Sequence, residues 1–366
     1  MRLYLIAGEA SGDLHGAALI EALRQLEPNI QIRCWGGDRM AHAGGALAKH
    51  YRDLAFMGFW EVLRNLRTIL RNLDFCRKDI RQFQPEALVL IDYPGFNLRI
   101  ARWAKRQGIP TAYYIAPQVW AWHESRIPAM RRDIDRLLVI LPFEQAFFEK
   151  NGIAARYVGH PLTERIPNDA PHPAQRENLI ALLPGSRRQE ISAILPPMLA
   201  TAAAMPQYQF AVLCATAQPN AIYEPWRNKA TPNVSFYRGD AYALLKRSRA
   251  ALVKSGTSTL ETALCNTPQV VCYKGNPISY QIARRLVKTR YIALVNLILD
   301  RPLVRELIQH ELHAHTLIPA LTQILQIDET ERICAGYAEL RRLIGAEKAS
   351  HNAALETLAL VRGKNS

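Results

Sequence analysis

The sequence predicts an α/β protein made of two doubly wound domains, each a parallel sheet flanked by crossover helices. Three observations carry the prediction. Short apolar runs alternate with helix-period segments along the chain, the pattern of parallel strands joined by crossovers. The alternation stops once, at the proline-rich polar stretch GHPLTERIPNDAPHPAQREN from Gly159 to Asn178, which reads as a linker, and then restarts. The chain has 366 residues, 49% of them apolar, enough for two cores.

Taken in order, Leu3–Ala7 is the first strand and feeds the turn GEASGDLHG, after which Ala17 to Leu26 has helical spacing. Gln31–Trp35, Ala87–Ile91, Thr111–Ile115 and Arg136–Ile140 are the next strands, each closed by Gly, Pro or polar residues. Beyond the linker, Leu179–Leu183, Gln209–Cys214, Val234–Tyr237, Ala250–Val253 and Gln269–Tyr273 form a second set. A long helical pattern from Glu329 to about Val361 closes the chain. The expected domains are residues 1–165 and 166–340, with 341–366 a terminal helix packing back toward the first domain. In such folds ligands bind at the carboxyl ends of the strands, and in a pair of domains between them.

The net charge is +14, from 46 basic and 32 acidic residues, which points to an anionic partner. The basic residues are dispersed and no nucleic-acid-binding motif is present, so a nucleic acid is not the expected partner. The six cysteines form no Cys-x-x-Cys pair and sit mostly in apolar runs, so they read as reduced, buried thiols rather than a disulfide framework or zinc site. Five apolar residues after Met1-Arg2 are too few for a signal-peptide core, and no window is long and apolar enough for a membrane span. A cytoplasmic protein with at most peripheral membrane contact is expected.

Several loops carry candidate chemistry. LLPGSRRQEI runs from a strand into a helix, where Gly185 allows close backbone approach, Ser186 can cap, and Arg187 and Arg188 bring charge to a helix N-terminus. An anion site and an ordinary capped helix both fit. VKSGTSTLETAL places Ser255, Gly256, Thr257 and Ser258 at a second strand-to-helix turn, with Glu261 one turn further on. Its amides and hydroxyls suit a pyrophosphate and its carboxylate suits a ribose diol; a plain Ser/Thr cap is the alternative. No Gly-x-x-x-x-Gly-Lys-Ser/Thr or Gly-x-Gly-x-x-Gly is present, which excludes a P-loop and a dinucleotide fingerprint. LVLIDYPGFN ends a strand in Asp92, either a general base at the strand end or a cap of the next helix. Glu9 and Asp13 share that ambiguity. YYIAPQVWAWHESR offers aromatics beside Gln118, His123 and Arg126, to stack on a sugar or to fill a core.

In MGFWEVLRNLRTILRNLDFCRKDI, Phe59, Val62, Leu63, Leu66, Ile69, Leu70 and Leu73 fall on one helical stripe, with Trp60, Arg64, Arg67 and Arg71 on its flank. This is either an interfacial helix for anionic lipid or a core-facing helix with a solvated basic side. A second basic cluster, Arg284, Arg285, Lys288 and Arg290, precedes Asn296.

GEASGD, MGFWEVL, IDYPGFN, APQVWAW, LPFE, GHPL, LLPGSRRQEI, SGTSTLETAL and RRLVKTRYIALVNLI occur in this order over roughly residues 3 to 310. Together they resemble the bacterial lipid-A-disaccharide synthases. The resemblance implies a GT-B fold of two Rossmann-like domains facing a central cleft. It implies an inverting glycosyltransferase that joins UDP-2,3-diacylglucosamine to 2,3-diacylglucosamine 1-phosphate (lipid X), giving a disaccharide 1-phosphate and UDP. It implies no metal and no cofactor, and a peripheral place on the inner face of the inner membrane of a Gram-negative bacterium, against anionic phospholipid. Homodimerisation stays open.

On that resemblance Asp92 deprotonates the acceptor 6-hydroxyl and Arg187 holds the diphosphate of the leaving UDP. Gly185, Ser186, Ser255, Gly256, Thr257 and Ser258 cradle the phosphates, Glu261 takes the ribose, and Asn296 lies at the nucleotide pocket. Glu9, Ser11, Gly12, Asp13, Asn97, Gln118 and Trp120 line the acceptor side. Trp60, Val62, Leu63, Leu66, Ile69 and Leu70 contact the membrane. One departure stands out: His123 follows Trp-Ala-Trp where the family often has Arg, so any phosphate contact there depends on pH. The rival enzyme reading is another GT-B protein, a UDP-N-acetylglucosamine transferase or epimerase, using the same nucleotide loop without a lipid acceptor.

Overall fold

A computed structural model describes residues 1–54, 66–277, 280–281, 284 and 289–363. The chain divides into two compact units, Met1–Glu164 with Ala346–Ser366, and Arg165–Gly345.

The first unit holds strands β1 (Arg2–Ala7), β2 (Gln31–Gly36), β3 (Ala46–His50), β4 (Ala87–Ile91), β5 (Thr111–Tyr114), β6 (Arg136–Val139) and β7 (Ala155–Tyr157). They form one parallel sheet in the order β3-β2-β1-β4-β5-β6-β7. Its helices, among the described residues, are α1 (Ala10–Leu26), α2 (Asp38–His42), α3 (Leu66–Phe83), α4 (Pro94–Arg106), α5 (Val119–Trp122), α6 (Ile127–Asp133) and α7 (Pro142–Lys150). The central strands are apolar throughout because both faces are covered. Tyr4, Ile6, Leu88 and Leu90 enter the core layer under α3 and α4. Their neighbours Leu3, Leu5, Val89 and Ile91 point the other way, into a layer with Leu19, Ile20 and Leu23 of α1.

The second unit holds β8 (Glu177–Leu183), β9 (Gln209–Leu213), β10 (Val234–Tyr237), β11 (Ser248–Lys254), β12 (Gln269–Tyr273) and β13 (Glu306–Ile308), parallel in the order β10-β9-β8-β11-β12-β13. Its described helices are α8 (Arg188–Ala203), α9 (Glu224–Arg227), α10 (Ala241–Arg247), α11 (Thr257–Leu264), α12 (Leu294–Leu299), α13 (Ala314–Ile324) and α14 (Ile327–Ile344). The last helix, α15 (Ala349–Arg362), belongs to the first unit, where Ala353, Ala354, Leu358 and Val361 join the α1 layer.

Three sequence expectations change. The closing helical pattern is two helices, because Gly345 turns to φ +67° after Ile344 and ends the first. The polar stretch after Gly159 is no free linker: Leu162 is 3% and Ile166 0% exposed. Within it, Arg176 drives its guanidinium into the second unit. There it donates to the carbonyls of Pro171, Leu245, Ser248, Cys265 and Asn266 and to Thr267 Oγ1, at 2.7–3.1 Å. Finally, β3, β7 and β13 went unseen, since they are short edge strands without an apolar run. No described helix is long and apolar enough to cross a membrane.

In both sheets the strand order reverses beside the first strand of the unit, between β1 and β4 and between β8 and β11. At such a reversal the loops beyond the two carboxyl ends diverge to opposite faces and leave a crevice.

Candidate functional site

In the first unit the crevice is flanked by the turn after β1, Gly8-Glu9, and the turn after β4, Asp92-Tyr93; Ala7 pairs with Ile91 directly below. Asp92 and Tyr93 both hold left-handed backbone, φ +46° and +50°. Non-glycine residues seldom adopt it, and two in succession require a scaffold that enforces them. Tyr113 supplies part of it, donating its hydroxyl to the Asp92 carbonyl at 2.6 Å. Asn97 supplies the rest, its amide donating to the carbonyls of Asp92 at 2.8 Å and Ile91 at 3.2 Å. Gly8 leaves room for the Tyr93 ring: a Cβ there would stand 2.2 Å from Cδ1.

The Asp92 carboxyl is only partly exposed, and its pKa is pushed up from 3.8 to about 6. Desolvation is the main cause and the nearby Glu9 carboxylate the second, against a hydrogen bond from the Tyr93 backbone. Such a group is mostly ionised at neutral pH yet accepts a proton far more readily than an ordinary aspartate.

The other residues assigned to the acceptor side divide. Ser11 and Gln118 are exposed and Glu9 is half-buried. Asp13 is 3% exposed and fully engaged, accepting the amides of Gly37 at 2.6 Å, Met40 at 3.1 Å and Arg39 at 3.3 Å. It ties α1 to the start of α2. Gly12 is buried against Ala7 of β1, and Asn97 is wholly enclosed with its side-chain amide spent on the carbonyls of Ile91 and Asp92. Trp120 is an anchor as well: its indole donates at 2.9 Å to Glu144, a fully enclosed carboxyl pushed up to about 7 by desolvation. Glu144 in turn accepts the Leu141 amide at 3.0 Å. Trp122, beside it, is 55% exposed, its ring 3.9 Å from that of His123. Desolvation and then Arg126 hold the His123 imidazole below its ordinary pKa, which favours its neutral form.

In the second unit the crevice opens into a cavity of about 470 Å³. Its floor is the turn Gly185-Ser186-Arg187 after β8 and Gly256-Thr257-Ser258 after β11, with Lys254, Glu190 and the loop 214–217 as walls. Gly185 sits at φ +115°, and a Cβ on it would stand 2.6 Å from Glu190 Oε2. That oxygen accepts the amides of Ser186 at 3.1 Å and Arg187 at 3.2 Å, while Oε1 faces Lys254 Nζ at 3.0 Å and Arg187 at 3.7 Å. Burial alone would raise the Glu190 pKa; the Lys254 ammonium and these amides hold it below its ordinary value instead. At the other wall Gly256 precedes α11 with no side chain capping the helix, so the first amides of α11 are open to an anion.

Three assigned nucleotide residues lie elsewhere. Ser255 is buried, donating to the Ile292 carbonyl at 2.9 Å. Asn296 is wholly buried and satisfied at both ends, by Val304 and Glu306. It braces the turn before β13. Glu261 lies outside the cavity lining, held by the Tyr242 hydroxyl at 3.0 Å. Lys254 and Glu190 were missed from the sequence, although both stood in quoted motifs, Lys254 at a strand end and Glu190 at a capping position. Tyr113 stood among the aromatics of YYIAPQVWAWHESR, which suit sugar stacking or a core; the structure instead gives its hydroxyl to the Asp92 carbonyl. Among the described residues no group of three His, Cys, Asp or Glu side chains is placed to hold a metal ion.

A sequence model of the family described as Lipid-A-disaccharide synthetase matches residues 3–359. The chain is 38% identical over 375 residues to the lipid-A-disaccharide synthase of Anaeromyxobacter dehalogenans strain 2CP-C, covering 99% of this chain and 98% of that protein. It is also 38% identical over 372 residues to that of Syntrophus aciditrophicus, covering 98% and 97%. The chain belongs to the lipid-A-disaccharide synthase family. It is a glycosyltransferase of lipid A disaccharide synthesis. Among solved structures it superposes on the glycosyltransferase of kitacinnamycin with a TM-score of 0.68 at 14% identity, covering 98% of this chain and 99% of that one. For a UDP-N-acetylglucosamine 2-epimerase of Listeria monocytogenes, described as putative, the TM-score is 0.69 at 11% identity, covering 100% and 96%. These likenesses establish the GT-B type of fold.

Of the residues assigned to membrane contact, Trp60, Val62 and Leu63 lie outside the described residues, as does the side chain of Leu66. Ile69 is partly buried and packs against the first unit's core, whereas Leu70 is 57% exposed.

Proposed function

We propose that this synthase transfers the 2,3-diacylglucosamine unit of UDP-2,3-diacylglucosamine to the 6-hydroxyl of lipid X, with inversion at the donor's anomeric carbon. Asp92 takes the hydroxyl proton as that oxygen attacks. The anomeric carbon–oxygen bond to the β-phosphate breaks on the opposite face, and the electron pair leaves with UDP. Arg187, Lys254 and the open amides at the start of α11 receive that charge, a role worth about 3–4 kcal/mol per well-placed donor. Tyr113 and Asn97 act as positioning residues through the Asp92 carbonyl. The observation that carries the reading is Asp92 itself: a strained, desolvated carboxyl at the topological reversal of its sheet, with a pKa of about 6. Because both substrates carry acyl chains, we place the reaction at the inner face of the inner membrane.

The test is turnover of UDP-2,3-diacylglucosamine with lipid X, comparing the wild type with Asp92→Asn and Lys254→Met. Disaccharide 1-phosphate is expected from the wild type, roughly 10²–10³-fold less from Lys254→Met, and almost none from folded Asp92→Asn. Epimerisation of UDP-N-acetylglucosamine with no lipid present, and no disaccharide, would overturn it.

A further inference from the structure

APQVWAW and LPFE take no part in the transfer chemistry, yet the first unit bonds one to the other. Glu144 of LPFE stands in the first turn of α7. One of its oxygens accepts the amides of Leu141 at 3.0 Å and Ile140 at 3.3 Å, an ordinary capping geometry. Its burial is not ordinary. Glu144 is 1% exposed and spends its other oxygen on the Trp120 indole at 2.9 Å. Three N–H donors hold its charge and, among the described residues, no cation does. A glutamate is rarely enclosed without a charged partner, because the burial is unfavourable. A helix cap needs neither that burial nor the tryptophan.

What this bond holds is α5, a single turn from Val119 to Trp122. So short a helix has no stability of its own. It is fixed from outside: Ala116 and Val119 enter the core, and the Trp120 ring meets Phe143 edge-on at 4.9 Å. The entry to the turn is strained. Ile115 holds a left-handed backbone at φ +61°, a conformation that β-branched residues avoid. The chain after β5, like the chain after β4, is thus held where it would not settle alone. These two turns are neighbours. Ile91 of β4 pairs with Tyr114 of β5, and the Asp92 amide donates to the Tyr114 carbonyl at 3.1 Å.

The segment presents two groups that suit a phosphorylated sugar. Trp122 ends α5 exposed, a rigid apolar face of the kind that packs on the C–H face of a pyranose. Arg126 follows in the next turn, half-buried. Its charge is felt at the Asp92 turn: burial and then the Asp92 carboxylate push the Tyr113 hydroxyl up, and the Arg126 guanidinium pulls against them. That hydroxyl is the one that holds the Asp92 carbonyl. A guanidinium fork pairs bidentately with phosphate oxygens. We propose that Trp122 and Arg126 receive the sugar ring and the phosphate of the acceptor, and that Glu144, acting through Trp120, is the positioning residue that holds them beside the Asp92 turn. The inference rests on lipid X as the acceptor and adds the residues that meet it and the one that supports them.

The experiment is initial-rate kinetics of the full chain in detergent, varying lipid X and UDP-2,3-diacylglucosamine in turn, with circular dichroism to check that each variant is folded. Trp120→Phe keeps the ring packing and removes the N–H that reaches Glu144; Glu144→Gln keeps the shape and turns an N–H toward the donors. Each is expected to raise KM for lipid X about tenfold, with kcat and KM for the UDP-sugar within about twofold. Trp122→Ala and Arg126→Gln act at the contact itself and should raise KM for lipid X by at least about tenfold. In the double variant Trp120→Phe with Trp122→Ala the two losses should not multiply, because the place of an absent ring no longer matters. Losses that multiply, equal rises in both KM values, or a fall in kcat at unchanged KM would make the Trp120–Glu144 bond merely structural and overturn the positioning. An unchanged KM for lipid X in Trp122→Ala or Arg126→Gln would overturn the contacts, whether or not the Trp120 and Glu144 variants fold. Wild type that makes no disaccharide would overturn the acceptor and this assignment together, whereas active wild type with unmoved variants overturns the assignment alone.

Discussion

Replacing Asp92 by asparagine is expected to abolish glycosyl transfer while stabilising the first unit above about pH 6. The folded-state pKa is raised, from 3.8 to about 6, so the native protein holds the proton more tightly than the unfolded chain. Stability from this group is therefore largest at low pH and is lost as pH rises from about 4 through about 6. Above that range the ionised carboxylate costs at most about 3 kcal/mol, the free-energy equivalent of the shift. Asparagine has no such cost, but it weakens the bond from the Tyr93 amide, and the site keeps some solvent access. A net gain of about 1–2 kcal/mol at pH 8 is the working figure. Urea unfolding by tryptophan fluorescence reads the right unit, because five of the six tryptophans lie in its span. The variant should be more stable at about pH 8, and the difference should shrink toward about pH 4. A variant less stable at high pH, or a difference independent of pH, would refute the claim that desolvation tunes Asp92. Glu9→Gln removes the second cause of the shift, so it should move the acid limb of the kcat/KM profile below 6 without abolishing turnover.

Arg176→Met removes the guanidinium that satisfies five carbonyls and Thr267, and should destabilise the second unit by about 3–5 kcal/mol, read by hydrogen exchange in β8 and β11. Gly8→Ala forces the Tyr93 ring aside, and should cost about 1–3 kcal/mol and lower kcat more than it changes KM for UDP-sugar. Glu190→Gln keeps the capping geometry of α8 but frees Lys254 and Arg187 from an internal anion, so calorimetry should show UDP bound about tenfold tighter.

The central strands and both domains' α/β alternation were legible because a strand buried on two faces must be apolar along its whole length, as in Ala87–Ile91. Edge strands carry no such demand. Ala46–His50 is nowhere fully buried, so its residues could be of any type. The final break was equally hidden: one glycine inside a helical period is tolerated in many helices, and only its backbone angle shows that Gly345 ends one. Arg176 read as part of a solvated linker because charge and proline suggest exposure. Only the carbonyls brought together from residues 171 to 266, with the Thr267 hydroxyl, make its burial favourable.

The candidate site was legible as loops and not as roles. Motif residues at a strand end are polar for either of two reasons: they meet a ligand, or they hold the turn that does. The sequence writes both alike. What separates them is whether a side chain's hydrogen-bonding capacity is already spent. Asp13 gives both carboxylate oxygens to three amides, Asn296 closes its amide on Val304 and Glu306, and Trp120 gives its only donor to Glu144. None has a polar atom left for a substrate. Asp92 is the contrary case: its carbonyl is fixed by two donors while its carboxyl faces a second carboxylate and little solvent. A fold that spends Asn97 and Tyr113 to hold an aspartate in a strained turn, where its charge is unfavourable, has no gain in stability from doing so. That combination is the ground on which we propose that carboxyl for the chemistry.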